Sequence, residues 1–225
     1  MYRHFLKRVM DFCLSLLALA VLSPVLLVLT IVGAIVMHGN PFFTQLRPGK
    51  DEKIFRLIKF RSMTNKRAPN GELLSDEERL VPYGKFLRST SLDELPSLLN
   101  IIKGDLAIVG PRPQLVRDMV FMTAEQRCRH TVRPGLTGLA QCNGRNNMSW
   151  EKKFEYDLQY IKKITFFGDI KIIFKTVFKV LKRDGINEEG MATAEDLGDY
   201  LLGKGVVDTD TYAARQAEAK ELMRL

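Results

Sequence analysis

Cysteine is scarce in this 225-residue chain. Cys13, Cys128 and Cys142 are odd in number and far apart, with no C-x-x-C, which argues against a disulfide framework and a thiolate zinc site and suits a reducing cytosol. Histidine is as sparse, since His4, His38 and His130 are scattered, so any metal is expected to be held by oxygen. Internal repeats and low-complexity stretches are absent, which excludes repeat arrays. The most informative lack is of charge: none occurs from Phe12 to Val36. As a helix those residues would extend about 38 Å, against about 30 Å of bilayer hydrocarbon. The stretch exceeds a signal-peptide h-region and is followed by no small-x-small cleavage site. It belongs in a bilayer.

Ser23 and Pro24 interrupt that segment. Proline lacks the N–H that would bond the Ala20 carbonyl, so a break is expected there. Basic residues stand on both sides: Arg3, Lys7 and Arg8 before, Arg47, Lys50, Lys53, Arg56 and Lys59 after. Because cytoplasmic flanks carry the excess of Lys and Arg, the pattern predicts a re-entrant helix–break–helix over residues 12–36, with an ordinary kinked span as the alternative. A second membrane signal covers residues 164–183, where Phe166, Phe167, Ile170, Ile173, Phe174, Val177, Phe178 and Leu181 recur at helical spacing, with Lys171, Lys175, Lys179 and Lys182 on another face. Such a helix lies in the interface, lysines toward phosphates; a core helix with a solvated lysine face is the other reading.

Charge divides the chain further. Residues 1–185 hold 30 Lys+Arg against 17 Asp+Glu, a net +13, whereas residues 186–225 hold 4 against 9, a net −5. The expected organisation is one basic membrane catalytic domain over 1–185 and a separate acidic C-terminal tail over 186–225. The fold class is α+β and mainly helical, with the re-entrant segment, interfacial helices and a small β-hairpin of Phe42–Gln45 and Ile54–Met63 around Pro48-Gly49. On a strand Lys59 and Arg61 share a face and can address one phosphate, or stand as exposed edge cations. Residues 91–102, closed by Gly104, and 151–160 read as helical. A basic body suits anionic partners, yet no nucleic-acid-binding motif is present, which leaves a basic membrane anchor as the non-enzymatic alternative.

The candidate chemistry lies in Ser91-Leu92-Asp93-Glu94-Leu95-Pro96. Two adjacent carboxylates in the first turn of a helix are favoured as anions by its dipole. An ionised aspartate can attack phosphorus, and its neighbour can hold a divalent cation by oxygen. The competing explanation is a capping box made by Ser91 and Glu94. Gly110-Pro111-Arg112-Pro113 fixes an arginine between prolines, a geometry suited to phosphate. Arg88 stands one turn before the acids, while Arg133-Pro134-Gly135 and Asn143-Gly144-Arg145-Asn146 add arginines beside turns. The set suits a substrate with two phosphates. Asp208-Thr209-Asp210 has the form of a D-x-D motif, which chance in an acidic tail explains.

Taken together, Phe43-Thr44-Gln45-x-Arg47-Pro48-Gly49, Lys59-Phe60-Arg61-Ser62-Met63, Ser91-Leu92-Asp93-Glu94-Leu95, Val109-Gly110-Pro111-Arg112-Pro113, Arg133-Pro134-Gly135-Leu136-Thr137-Gly138 and Asn143-Gly144-Arg145-Asn146 resemble the monotopic small phosphoglycosyl transferases of bacteria, PglC-like enzymes in particular, over residues 1 to 193. The resemblance implies a hairpin broken at Ser23-Pro24 and a cytosolic active site at the inner membrane. It implies transfer of a sugar 1-phosphate from a UDP-sugar to undecaprenyl phosphate, with Asp93 as nucleophile and Glu94 as Mg²⁺ partner. Lys59, Arg88, Arg112, Arg145 and Asp157 would support substrate or the acidic pair. The stretch from Lys179 to Thr193 is most similar to enzymes using UDP-N,N′-diacetylbacillosamine or a related UDP-N-acetyl amino sugar. Membrane phospholipid is a further expected partner, and homo-oligomerisation stays open.

Overall fold

The computed structural model describes residues 2–144, 148–182 and 195–224. After a single π-helical turn, α1 (Lys7–Val36) leads into β1 (Phe42–Pro48) and β2 (Ile54–Phe60); then come α2 (Asp76–Arg79), α3 (Pro82–Thr90), α4 (Leu98–Lys103), β3 (Ala107–Val109), α5 (Val116–Met119), α6 (Ala124–Arg127), β4 (Gly135–Thr137), α7 (Leu139–Asn143), α8 (Trp150–Lys162), α9 (Phe166–Lys182), α10 (Leu197–Gly203) and α11 (Thr209–Leu222). The mainly helical α+β class expected from sequence is the one observed.

Helix α1 is the one described helix long and apolar enough to cross a membrane. The sequence predicts a break at Ser23-Pro24, yet the helical assignment is continuous there. Ser23 Oγ donates to the Ala20 carbonyl at 2.8 Å, the acceptor that Pro24 leaves without its N–H donor, so the hydroxyl supplies the missing bond. Both ends of α1 rest on the same body. Near its start Arg8 donates to the carbonyls of Ile101 and Ile102, and Asp11 accepts from the Ile108 N–H. Near its end Leu26 and Leu29 pack on Phe60 and Leu87, and Tyr83 donates to the Leu29 carbonyl. The face between, including Leu17, Val21, Leu27 and Val28, is exposed and apolar.

The hairpin forms as predicted, antiparallel with Phe43 opposite Lys59, and its turn needs the left-handed backbone of Asp51 and Glu52. Phe55 and Leu57 bury against Leu98, Ile101 and Leu106, which seats α4 on one face of β2. Strands β3 and β4 pair in parallel, Ala107 with Gly135 and Val109 with Thr137. Helix α9 confirms the expected 164–183 helix to within two residues. It buries Ile172 and Asp169 while Phe167 (81% exposed), Phe174 and Phe178 face outward.

The C-terminal segment does not stand apart in its described part. Leu197 and Ala219 are buried with Val116, Met119, Phe121, Trp150 and Phe154 in one apolar cluster. Asp118 accepts from the Leu197 N–H, and Arg117 pairs with Asp196 at 2.6 Å. Charge asymmetry thus misleads about packing, because the acidic residues cover the outside of two short helices whose few apolar residues enter the core. Asp208 N-caps α11, accepting from the Thr211 N–H, a structural role for the first acid of Asp208-Thr209-Asp210.

Candidate active site

The acidic pair sits at a corner between helices. Helix α3 ends at Ser91, whose φ of 56° is left-handed, and the chain turns through a 3-10 segment, Leu92–Ser97, into α4. Asp93 and Glu94 are therefore in a tight turn, where the sequence predicts an α-helix. The capping box does not form: Ser91 makes no side-chain capping bond, and Glu94 is engaged elsewhere.

Two buried polar residues that sequence reading passes over hold this turn in place. Ser97 Oγ donates to the Ile58 carbonyl at 2.7 Å. Asn100 Oδ1 accepts from the Ile58 N–H at 3.0 Å, and its Nδ2 donates to the Arg56 carbonyl at 2.8 Å. Among the described residues strand β2 pairs only with β1, so these side chains satisfy backbone groups on its other edge. Asn100 had a signal in sequence, as the one polar residue of Leu98-Leu99-Asn100-Ile101-Ile102. The stitching sets Glu94 beside Lys59, which continues the Phe55–Leu57 face of β2.

Glu94 Oε1 accepts from Lys59 Nζ at 2.6 Å and from Arg112 Nη2 at 3.0 Å. Burial pushes the Glu94 carboxyl up, but the two cations outweigh it and hold it well below the usual carboxylate range. Asp93 goes the other way: burial, then the Glu94 charge, raise it, opposed by Lys59, Arg112 and Arg88. It accepts no hydrogen bond from the described residues. The turn thus separates the two carboxyls into different electrostatic environments, a difference that one helix dipole acting on both does not foresee. Arg88, on α3, donates to Ser62 Oγ at 3.0 Å and lies close enough to feel the Asp93 charge.

Arg112 reaches Glu94 because its loop is laid tightly over another. The Gly110 N–H donates to the Thr137 carbonyl and the Gly135 N–H to the Pro111 carbonyl, both at 2.9 Å. A Cβ on Gly135 would stand 2.1 Å from the Gly110 nitrogen, so only glycine fits. Beneath the loop Arg129 Nη2 donates to the Arg112 carbonyl at 2.6 Å. Arg129 Nε and Nη2 both reach Asp157 Oδ2, at 3.0 and 2.7 Å, with both residues almost fully buried. Asp157 consequently supports Arg112 from behind, through Arg129, a residue with no distinguishing signal in sequence. Arg47 is the other addition: it donates to the Pro113 carbonyl at 3.1 Å and to Gln45 Oε1 at 2.6 Å. Burial, then the Arg112 charge, lower its pKa to about 10.

Arg47, Lys59, Glu94, Ser97, Arg112 and Gly135 line a cavity of about 20 Å³, room for about one water. Arg61 follows the last residue of β2 and donates its N–H to the Pro41 carbonyl; no described side-chain hydrogen bond or ion pair joins it to Asp93 or Glu94. Arg145 lies outside the described residues. No group of three His, Cys, Asp or Glu able to hold a metal exists among the described residues. Magnesium asks for less when substrate phosphates and water complete its shell. Glu94 Oε2, which no described hydrogen bond engages, and the adjacent Asp93 carboxylate are the oxygen donors available to it.

Residues 2–183 match the model of a family described as bacterial sugar transferase. Among curated proteins, the chain is 48% identical over 191 residues to an uncharacterized sugar transferase, EpsL, of Bacillus subtilis (strain 168), a match covering 84% of this chain and 94% of that one. It is 41% identical over 183 residues to a UDP-glucose:undecaprenyl-phosphate glucose-1-phosphate transferase of Klebsiella pneumoniae, covering 77% of this chain and 39% of that protein. With an undecaprenyl-phosphate galactose phosphotransferase of Salmonella typhimurium (strain LT2) it shares 35% over 200 residues, 81% of this chain and 42% of the other. The chain therefore matches nearly the whole of EpsL and about two fifths of the two longer proteins.

Proposed function

Because the chain belongs to the bacterial sugar transferase family, we propose that it is a phosphoglycosyl transferase, moving a sugar 1-phosphate from a UDP-sugar to undecaprenyl phosphate and releasing UMP. The observation that carries this reading is the division within the acidic pair: Glu94 is clamped by Lys59 and Arg112, while Asp93 beside it accepts no side-chain hydrogen bond from the described residues, which leaves its oxygens for chemistry. In the first step an Asp93 oxygen attacks the β-phosphorus, the bond from that phosphorus to the bridging oxygen breaks, and UMP leaves with the electron pair. In the second a phosphate oxygen of undecaprenyl phosphate attacks the same phosphorus and Asp93 leaves as carboxylate. Lys59, Arg112 and Arg88 neutralise charge on the transferring phosphoryl group. Magnesium, held through Glu94 with the donor phosphates in its shell, would supply further neutralisation. The cavity is too small for a nucleotide sugar, so the donor lies over its mouth, where Arg112 is half-exposed.

Location at the cytoplasmic face of the inner membrane, with α1 entering and leaving one leaflet, belongs to the same reading. Its support is that both ends of α1 pack on one body. Relatives named for glucose and galactose transfer set UDP-hexoses beside UDP-N,N′-diacetylbacillosamine as donors.

The test is incubation of purified protein with UDP-glucose, UDP-galactose or UDP-N,N′-diacetylbacillosamine, Mg²⁺ and undecaprenyl phosphate. UMP release with one donor, up to one equivalent without acceptor, and a sugar phosphate on the Asp93 peptide by mass spectrometry are expected. No UMP with any donor overturns the enzyme reading; turnover that requires both substrates bound at once, with Asp93 unmodified, overturns the covalent route.

A further inference from the structure

A second cavity, of about 140 Å³, lies at the foot of α1 and shares no lining residue with the active-site cavity. Arg3, Lys7, Arg8 and Asp11 line it from the start of the chain, Lys50 from the hairpin turn and Arg133 from the approach to β4. Five cations thus face one carboxylate. Lys7 is committed, pairing with Asp169 at 2.8 Å and approaching Asp11 at 3.8 Å. The two buried-side arginines are anchored on neutral acceptors instead: Arg8 on the carbonyls of Ile101 and Ile102, and Arg133 Nε on the carbonyl of Gly104. Among the described residues no carboxylate ion-pairs with Arg3, Arg8 or Arg133. Carbonyl anchoring fixes the guanidinium planes without neutralising them, which is how a protein pre-positions cations for an outside anion.

The setting says what kind of anion. The cavity abuts the first turns of α1, just before the charge-free run begins at Phe12. Tyr160 and Ile164, at the approach to α9, close its other side. There Tyr2 packs edge-on against Phe166, and Tyr2, Lys7 and Tyr160 converge on Asp169 of α9. The cations therefore stand where the two outward apolar surfaces, of α1 and of α9, meet. That is the depth at which basic side chains reach lipid phosphates. A volume of this size admits a phosphodiester but is well short of a nucleotide-sugar pocket.

We propose that this cavity is a binding site for the phosphate of an anionic phospholipid headgroup, which fastens the foot of α1 and the start of α9 to the bilayer surface. The proposal rests on the reading that both helices lie in one leaflet.

The test uses the full chain in detergent micelles, with bound lipid counted by native mass spectrometry. Supplied with equal phosphatidylglycerol and phosphatidylcholine, the protein should keep one phosphatidylglycerol. The R3Q/R133Q variant, in which glutamine can still donate to the Gly104 carbonyl, should weaken that binding on the order of tenfold or more, with the melting temperature of the lipid-free protein unchanged. Lys50→Gln, at an exposed position, should weaken it less. Equal retention of the two lipids, or unaltered retention by the double variant, overturns the site. Displacement of phosphatidylglycerol by millimolar inorganic phosphate, or by one equivalent of undecaprenyl phosphate, overturns the phospholipid as its occupant. Lipid counting in micelles depends on neither turnover nor topology. Absence of UMP release, or labelling of a cysteine at residue 3 from the periplasm, would therefore defeat the enzyme or the one-leaflet reading without touching this count.

Discussion

Glu94 with Lys59 and Arg112, and Asp157 with Arg129, are made of the same kinds of charge and converge on one residue, Arg112, from opposite sides. They differ in contact with water. The side chains of Lys59, Glu94 and Arg112 retain 19%, 20% and 46% of their exposure, against 1% and 3% for Arg129 and Asp157. A partly wet pair contributes little to stability and can exchange partners, whereas a dry pair is costly to break because a lone buried charge remains. On the proposed reaction the wet cluster opens to the donor's diphosphate, while the dry pair holds the Arg112 backbone through the Arg129 bond to its carbonyl. One cluster is arranged for exchange and the other for position.

The largest expected effect is outside both pairs. Asp93→Asn should lower UMP release by at least about 10³-fold, with membrane binding and circular dichroism unchanged; near-normal release would move the nucleophile elsewhere and void the division seen in the acidic pair. Next, Glu94→Gln keeps an acceptor for Lys59 and Arg112 but loses the charge. Turnover should fall about 10²-fold, while stability changes by no more than about 1 kcal/mol. Early melting with normal turnover per folded molecule would show that the wet cluster is structural after all.

The dry pair should behave in the reverse manner. Asp157→Ala leaves the Arg129 charge buried and should cost about 3–5 kcal/mol, a drop of about 10 °C in melting temperature for a chain of this size. Arg129→Met with Asp157→Leu should recover most of that stability, because the charges leave together. The Arg112 carbonyl then lacks its donor, so turnover of the double variant should remain about tenfold low. Full activity in the stable double variant would break the assignment of position to the buried pair.

The smallest effect is on pH. The Asp93 carboxyl is raised by burial and by Glu94, so its folded value lies above its unfolded one. Its contribution is present below the unfolded value and lost as pH rises through the folded one. At neutral pH the ionised Asp93 therefore weakens the fold, and Asp93→Asn should melt slightly later than the parent there, with the advantage shrinking in acid. The same raised value places the acidic limb of turnover above the ordinary carboxylate range. Arg88→Gln removes a charge that opposes the shift and should move that limb to higher pH. A limb that stays put would mean that Arg88 does not act on Asp93.

Legibility from sequence followed the range of each interaction. The hairpin was readable because Pro48-Gly49 and the alternation around it are local signals, and α9 was readable from its helical spacing. Asp93 and Glu94 were found as a pair, but the local capping rule suggested a box with Ser91 that the left-handed Ser91 does not allow. The second strand was read to Met63 and ends at Phe60, three residues earlier than alternation assumed. Pro24 was read for its missing N–H; that the Ser23 hydroxyl would supply the Ala20 carbonyl instead is a choice between rotamers that sequence does not fix.

The sequence by itself determined the apolar segment, the amphipathic helix, the hairpin and the identity of the acidic pair, since each depends on neighbours within a few residues. Only the tertiary structure decided that Glu94 belongs to Lys59 and Arg112, 35 and 18 residues away. The same holds for Arg129, which reaches Asp157 and the Arg112 carbonyl, and for the acidic C-terminal helices, which bury Leu197 and Ala219 in the core. The reason is that a charge pattern records which side chains face water. Which buried donor meets which acceptor is set by packing between distant segments, where an unpaired polar group would cost too much to leave.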